Sequence, residues 1–158
     1  MTGPVAKAQL VIRKPVAQVF EAFTDPAITT HFWFSKSSGK VVPGAKLRWD
    51  WEMYGVGANV SVKAVEPNKR ILVEWGGPEN PTEVEWTFDS RGADRTRVAV
   101  ENRGFKGSPE AQMAAALDSM GGFTSLLAGA KFWLEHGIEP RLVIDHHPEA
   151  LVEGWKNR

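Results

Sequence analysis

One long amphipathic segment near the carboxyl end of the chain restricts most strongly how the chain can fold. Between Ser108 and His136, apolar residues recur at steps of three and four, which predicts a helix with one apolar stripe. The stripe consists of Met113, Ala116, Leu117, Met120, Phe123, Leu127, Ala130 and Leu134. Ser108 is expected to cap the start of this helix and Gly137 its end. Because such a helix cannot bury its stripe alone, it needs a broad apolar partner surface.

The segments before this helix can supply that surface, because their apolar and polar residues alternate as they do in strands. The strands are predicted at Val5–Arg13, Lys46–Met53, Asn59–Glu66, Ile71–Trp75, Glu83–Phe88 and Thr96–Arg103. Two short helices are predicted after the first strand, one from Pro15 to Thr24 and one from Pro26 toward Phe32. Short turns between the later strands favour an antiparallel order. The sequence therefore predicts an α+β fold, in which a curved antiparallel sheet of about six or seven strands wraps around one long carboxyl-terminal helix.

The composition argues against several classes of function. The 158 residues include 19 basic and 19 acidic ones, so no net charge favours nucleic acid or an anionic membrane as a partner. The absence of cysteine excludes disulfides, thiol catalysis and cysteine-bound zinc. Gly55-Val56-Gly57 is interpreted as a hairpin turn, since strands flank it, and no cofactor is expected. With no leader and no apolar run long enough to span a bilayer, a cytoplasmic protein is expected.

Four motifs, taken in order, suggest a family. They are the segment from Pro15 to Pro26, the cluster His31-Phe32-Trp33-Phe34, the segment from Thr96 to Phe105, and the pair Gly122-Phe123. With these motifs the chain resembles the START-like superfamily, also called the polyketide-cyclase, SRPBCC or helix-grip fold and shared with the birch-pollen allergen. Within it, the chain is most similar to the branch named for the C-terminal domain of the heat-shock-protein ATPase activator.

The resemblance implies a START-like helix-grip domain over residues 1–137, with a cavity between the sheet and the long helix. Residues 138–158 are predicted to form a carboxyl-terminal extension that packs on the same domain. A short helix from Pro148 to Trp155 is expected within the extension. The resemblance implies function only broadly, because the superfamily includes carriers, cyclases and chaperone regulators.

Tryptophan and methionine side chains are predicted to line this cavity and bind its ligand. The predicted ligand-binding residues are Trp33, Trp49, Trp51, Met53, Trp75, Trp86, Asn102, Met113, Met120, Phe123 and Leu127. Indole rings together with flexible Met side chains suit a flat, apolar or aromatic ligand. Asn102 is expected to face inward and to hold the polar end of the ligand; the alternative is a hydrogen bond to an indole or a loop. For each apolar residue, plain core packing is the alternative.

Neither catalysis nor metal binding is assigned to any residue. His31 is expected beside the mouth of the cavity, with Asp25 six residues earlier, which would suit acid–base chemistry. A surface or helix-end histidine is the favoured interpretation of His31. Asp145-His146-His147 is not expected to form a specific metal site, because adjacent side chains in an extended segment point apart and no further ligands are suitably spaced.

The opposite side of the long helix also carries residues that need a cover. Gly122, Leu126, Gly129 and Trp133 lie together there. The favoured cover is the extension, through its apolar residues Leu142, Val143, Ile144, Leu151 and Trp155. A second subunit is the alternative, so that both a monomer and a homodimer are compatible with the sequence.

Three functions are compatible with these features. The leading interpretation is a non-enzymatic protein that binds a small hydrophobic ligand, such as a lipid or polyketide, between sheet and helix. The alternative, which the resemblance implies, is a chaperone-associated regulator whose partner is a heat-shock chaperone. The second alternative is a cyclase- or hydrolase-type enzyme that uses His31 and Asn102 in the same cavity.

Overall fold

The computed structural model describes residues 2–158, which form one antiparallel sheet and four α-helices. The strands are β1 (Ala6–Ile12), β2 (Lys36–Ser37), β3 (Lys46–Trp51), β4 (Val56–Glu66), β5 (Arg70–Gly76), β6 (Thr82–Ser90) and β7 (Thr96–Arg103). The helices are α1 (Val16–Thr24), α2 (Pro26–Thr29), α3 (Pro109–His136) and α4 (Leu142–His146). The order across the sheet is β1-β7-β6-β5-β4-β3-β2. The predicted α+β helix-grip fold is confirmed.

Alternation along the strands separates the two faces of the sheet. In β7 every second residue is buried, from Thr96 to Asn102, as the sequence predicts. The same pattern in β6 buries Val84 and Trp86, and the register places Trp86 opposite Val100. The outer face carries ion pairs in which Glu85 accepts hydrogen bonds from both Arg70 and Arg103. One face therefore forms the core and the other faces water.

The two short helices form a corner that directs an aromatic segment into the core. Asp25 caps α2, since its Oδ1 accepts a hydrogen bond from the N–H of Ala27 at 3.0 Å. The buried hydroxyl of Thr29 donates to the carbonyl of Ala22 at 2.6 Å and so ties α2 to α1. Directly after this corner Trp33 is 8 % exposed and contacts the sheet.

The caps of α3 agree with the sequence, but part of its predicted apolar stripe is wrong. Ser108 Oγ accepts from the N–H of Ala111 at 3.1 Å, and Gly137 ends the helix in a left-handed conformation. Met113, Leu117 and Met120, predicted to face the core, are 52 %, 57 % and 43 % exposed. The buried face instead carries Ala116, Phe123, Leu126, Leu127, Gly129 and Ala130. At 100° per residue, this face is rotated by roughly 50° from the predicted stripe.

Close approach of the helix to the rest of the protein explains the rotation. A Cβ on Gly129 would lie only 3.2 Å from the backbone oxygen of Phe32. Residues at such contacts must be small, and glycine and alanine contribute little to a hydrophobic pattern. The pattern is therefore dominated by the long side chains of Met113, Leu117 and Met120, although the helix uses its small residues for packing.

Two local predictions also differ from the structure, and β2 is absent from the predicted strands. β3 ends at Trp51, so Met53 lies in a 3₁₀ turn (Glu52–Tyr54), where it is buried. β2 lies within a segment rich in Ser, Gly and Lys and is too short to show a period of two. The predicted helix from Pro148 to Trp155 is wrong, because α4 lies earlier and that segment contains only two single 3₁₀ turns. Pro148 disfavours helical geometry at His147, and α4 ends before it.

The extension contacts the rest of the protein through α4 and the segment after it. The single hydroxyl proton of Tyr54 is shared between the backbone carbonyls of Val143 and Ile144, and the hydroxyl oxygen accepts from the N–H of His147 at 3.2 Å. The N–H of Val152 donates to the carbonyl of Met53 at 2.9 Å. Ile144 is buried, and so is Leu126 on the side of α3 for which the sequence predicts the extension as the cover. Between residues 2 and 158, no helix is long and apolar enough to cross a membrane.

Candidate functional site

A cavity of about 440 Å³ lies between α3, the central strands and α4. Its aromatic and apolar lining consists of Trp33, Trp51, Tyr54, Val56, Ala58, Trp75, Phe105, Ala115, Phe123 and Val143. Its polar lining consists of Thr82, Asn102, Asp118, Ser119, Ser125, His146 and His147. The volume falls within the range of small-molecule sites, as does the combination of apolar walls with a few polar groups.

Three indole rings form the aromatic wall. The ring centroids are 5.5 Å apart for Trp33 and Trp51, 5.9 Å for Trp33 and Trp75, and 6.0 Å for Trp51 and Trp75. Phe123 of α3 continues the wall, with its centroid 5.8 Å from that of Trp75. Because each ring packs on the others in edge-on or tilted geometry, the wall is held in shape without a ligand.

Trp49 and Trp86 lie behind this wall and do not line the cavity. Both are 2 % exposed, and their ring centroids lie 5.1 Å and 5.8 Å from that of Trp33. Within residues 2–158, neither indole N–H has a hydrogen-bond partner. The interior around them is built from other aromatic rings, so these two residues support the wall by packing.

A chain of hydrogen bonds around the buried side chain of Asn102 forms one polar end of the cavity. The N–H of the Trp75 indole donates to Thr82 Oγ1 at 3.1 Å, and Asn102 Nδ2 donates to the same oxygen at 3.0 Å. Asn102 Nδ2 also donates to the carbonyl of Glu83 at 2.8 Å. Ser119 of α3 donates to Asn102 Oδ1 at 2.8 Å. The network thus joins three strands to the long helix at one point of the cavity wall.

The mouth of the cavity carries two histidines from α4 and the residue after it. His146 Nδ1 lies 3.2 Å from Ser125 Oγ, and His147 Nε2 lies 3.9 Å from the carboxylate of Asp118. Burial raises the pKa of the Tyr54 hydroxyl, which donates a hydrogen bond to the carbonyl of Ile144 in α4. The sequence assigns no site role to His146 or His147, and it contains no local pattern that would place them beside this cavity. Their position depends on long-range contacts of Tyr54.

The comparisons with known proteins start from the sequence. The sequence profile of the family described as "Activator of Hsp90 ATPase homolog 1-like protein" matches residues 13–129. This chain belongs to that family. No curated protein matches the chain significantly in sequence. Membership in the activator-homologue family confirms the START-like resemblance, whose expected fold the structure also shows.

Solved structures extend this comparison. A protein of Staphylococcus saprophyticus is 27 % identical, with a TM-score of 0.73 over 85 % of this chain and 94 % of its own. DynU16, described as a putative protein in the dynemicin biosynthetic locus, is 24 % identical, with a TM-score of 0.70 over 86 % of this chain and 49 % of its own. An Aha1 dimer from Colwellia psychrerythraea is 19 % identical, with a TM-score of 0.70 over 85 % of this chain and 98 % of its own. The last two likenesses show the fold alone.

The structure brings only some of the predicted ligand-binding residues of this family member to the cavity. Trp33, Trp51, Trp75, Asn102 and Phe123 line it. Leu127 is buried in the core, while Met53 lines a smaller cavity of about 120 Å³. The predicted inward orientation of Met113 and Met120 is wrong, because both are exposed on the outer side of α3.

His31 lies apart from the cavity. Its ring stacks on that of Trp133 with centroids 3.8 Å apart, and its Nδ1 lies 2.5 Å from the carboxylate of Glu139. These contacts link the corner at α2 to the end of α3 and leave His31 outside the lining of the large cavity. Among residues 2–158, no three His, Asp or Glu side chains are grouped so that they could hold a metal ion.

Proposed function

We propose that this protein binds a small hydrophobic or aromatic ligand in the cavity between the sheet and α3. The main support for this proposal is the cavity itself, which offers about 440 Å³ of space beside three packed indoles. A flat ligand would replace water on the parts of Trp33, Trp51 and Trp75 that line the cavity, where burial of apolar surface is favourable.

A ligand screen tests this proposal directly. The panel contains fatty acids, aromatic polyketides and planar aromatic metabolites, and the readouts are intrinsic tryptophan fluorescence and thermal unfolding. A ligand present at one hundred times its Kd should stabilise the fold by about 2.7 kcal/mol. Absence of both quenching and thermal stabilisation across the panel would contradict the proposal.

Gly122 offers a matched pair of variants for locating the binding. This glycine lines the cavity, and a Cβ placed on it would meet no atom within 4 Å. Gly122→Leu should fill part of the cavity and lower ligand affinity at least about tenfold. Gly122→Ala is the control, because it makes the same change to the backbone but adds only one methyl group. Equal affinities of the two variants would place the ligand elsewhere.

A chaperone-associated regulator is the second candidate. Membership in a family named for Hsp90 ATPase activation supports it, and so does the exposed apolar row Met113, Leu117 and Met120 on α3, which offers a surface for a protein partner. In this case the protein should stimulate the ATPase of a heat-shock chaperone, and Leu117→Glu should weaken that effect. Unchanged ATPase activity in the presence of the wild-type protein would reject this function.

A further inference from the structure

Thr82 lines the cavity beside the buried Asn102, at the start of β6 and opposite Trp75 in the register of the sheet. Its hydroxyl oxygen accepts two hydrogen bonds, one from the indole of Trp75 and one from the side-chain amide of Asn102. The sequence suggests Asn102 as the residue that holds the polar end of a ligand. The structure shows that both N–H groups of that amide already have protein acceptors.

The direction of each bond in this network follows from the chemistry of its members. The backbone carbonyl of Glu83 can only accept, so the neighbouring atom of the Asn102 side chain must be the nitrogen. The oxygen of that amide therefore faces Ser119, whose hydroxyl must donate to it. On the other side, the indole N–H of Trp75 can only donate to Thr82.

One donor remains after this assignment. A hydroxyl oxygen accepts two hydrogen bonds and donates one, and Thr82 already accepts from two groups that can only donate. Among the hydrogen bonds of residues 2–158, Thr82 donates its own hydroxyl proton to no protein acceptor. Because Thr82 lines the cavity, its free hydroxyl proton needs an acceptor from the molecule that occupies the cavity. A donor that is removed from water and makes no hydrogen bond is costly.

The charges around the cavity distinguish between possible acceptors. Within the described part of the chain, the residues that line the cavity include neither Lys nor Arg. Asp118 is the acidic residue among them, and its side chain is 78 % exposed at the mouth. The histidines of the lining, His146 and His147, lie beside Ser125 and Asp118. A carboxylate bound at Thr82 would therefore lose hydration without gaining a fixed positive partner there. A neutral carbonyl oxygen loses far less hydration and needs only one good donor.

Building on the proposed ligand-binding function, we propose that Thr82 selects ligands that carry a carbonyl group, by donating its hydroxyl proton to the ligand oxygen. The ligand class is thus an apolar or aromatic ketone, quinone or ester whose rings pack against the indole wall. The Trp75 and Asn102 donors hold the hydroxyl oxygen of Thr82 in place, so its proton is directed away from both. Thr82 acts as a specificity-determining residue.

Two probes of nearly equal shape test this selection. Equilibrium dialysis compares the affinity of the protein for 2-acetylnaphthalene, which has a carbonyl, with that for 2-ethylnaphthalene, which does not. The wild-type protein should bind the ketone about tenfold more tightly, as expected for one buried hydrogen bond. Thr82→Val should reduce this ratio to about one, whereas Thr82→Ser, which keeps the hydroxyl, should preserve it.

The ratio of affinities separates loss of the hydrogen bond from a general disturbance of the cavity. A distorted cavity would weaken binding of both probes and leave the ratio unchanged, and that result for Thr82→Val would overturn the role of Thr82. A second measurement is the infrared carbonyl stretch of the bound ketone, which should move to lower frequency in the wild type and in Thr82→Ser but not in Thr82→Val.

The outcomes also separate this inference from the proposed function. Equal binding of both probes to the wild type, combined with weaker binding to Gly122→Leu, would support the ligand cavity and overturn carbonyl selection. Failure of the wild type to bind either probe would contradict both.

Discussion

The carboxylate of Glu135 joins the last turn of α3 to the end of β1. It accepts hydrogen bonds from the N–H of Arg13 at 2.8 Å and from Lys131 Nζ at 2.6 Å, and only 11 % of its side chain is exposed. Lys131 also donates to the carbonyl of Val11. Burial raises the pKa of Glu135, but these hydrogen bonds and the charge of Lys131 outweigh it, so that the pKa lies below the ordinary value of 4.5.

This lowered pKa predicts a contribution to stability that depends on pH. The ionised carboxylate stabilises the fold above the pKa of the unfolded chain, and the stabilisation is lost as the pH falls through the folded pKa. Glu135→Gln should therefore lower the free energy of unfolding by roughly 1–2 kcal/mol at pH 7 and by much less near pH 3. Urea unfolding at the two pH values measures the difference. A loss of equal size at both would show that the charge of Glu135 is not responsible.

At the scale of single residues, the sequence predicts which side chains face inward but not how they are bonded. Asn102 is buried as expected from its place in the alternation of β7. Its bonds to Thr82, Glu83 and Ser119 join segments far apart in the chain, and the strand period carries no information about them. The same limit applies to Thr82, which is an ordinary strand residue in the sequence and becomes important only through its partners.

Within α3, two glycines occupy different environments although the sequence presents them alike. Gly129 packs against the backbone of Phe32, while Gly122 faces open space in the cavity. Small residues such as Gly129 form the packing contacts of α3 but do not stand out in the hydrophobic pattern. The stripe predicted from the sequence therefore differs from the face that is buried. The period of α3 and its caps are local properties, and the sequence predicts both. Which face of α3 packs against the rest of the protein depends instead on the corner formed by α1 and α2.

The two glycines predict opposite effects for the same substitution. Gly122→Ala should raise the free energy of unfolding by up to about 1 kcal/mol, because alanine favours the helix and its methyl group meets no other atom within 4 Å. Gly129→Ala should lower it by about 1–3 kcal/mol, because its Cβ would press on the Phe32 backbone at 3.2 Å. Thermal and urea unfolding of both variants checks this. Stabilisation by both would mean that α3 can move away from Phe32.

At the scale of the whole molecule, the sheet and the long helix follow from the sequence, but the shape of the cavity does not. Alternation places Trp49, Trp51, Trp75 and Trp86 on one face of the sheet, as found. It does not determine which of them lie under packed side chains and which border open space, because that depends on where α3 crosses the sheet. His146 is the last residue of α4 and His147 follows it, so their positions depend on where α4 packs. The hydrogen bonds of Tyr54 to the backbone of Ile144 and His147 fix that position.

If a small apolar ligand binds beside the indole wall, the indole N–H signals of the seven tryptophans in an NMR spectrum should report its position. On titration with 2-acetylnaphthalene, the signals of Trp33, Trp51 and Trp75 should shift, since these rings line the cavity. The signals of Trp133, which stacks on His31, and Trp155, which lies under Arg158, should stay in place. Shifts confined to Trp133 or Trp155, or no shifts at saturating ligand, would contradict binding beside the indole wall.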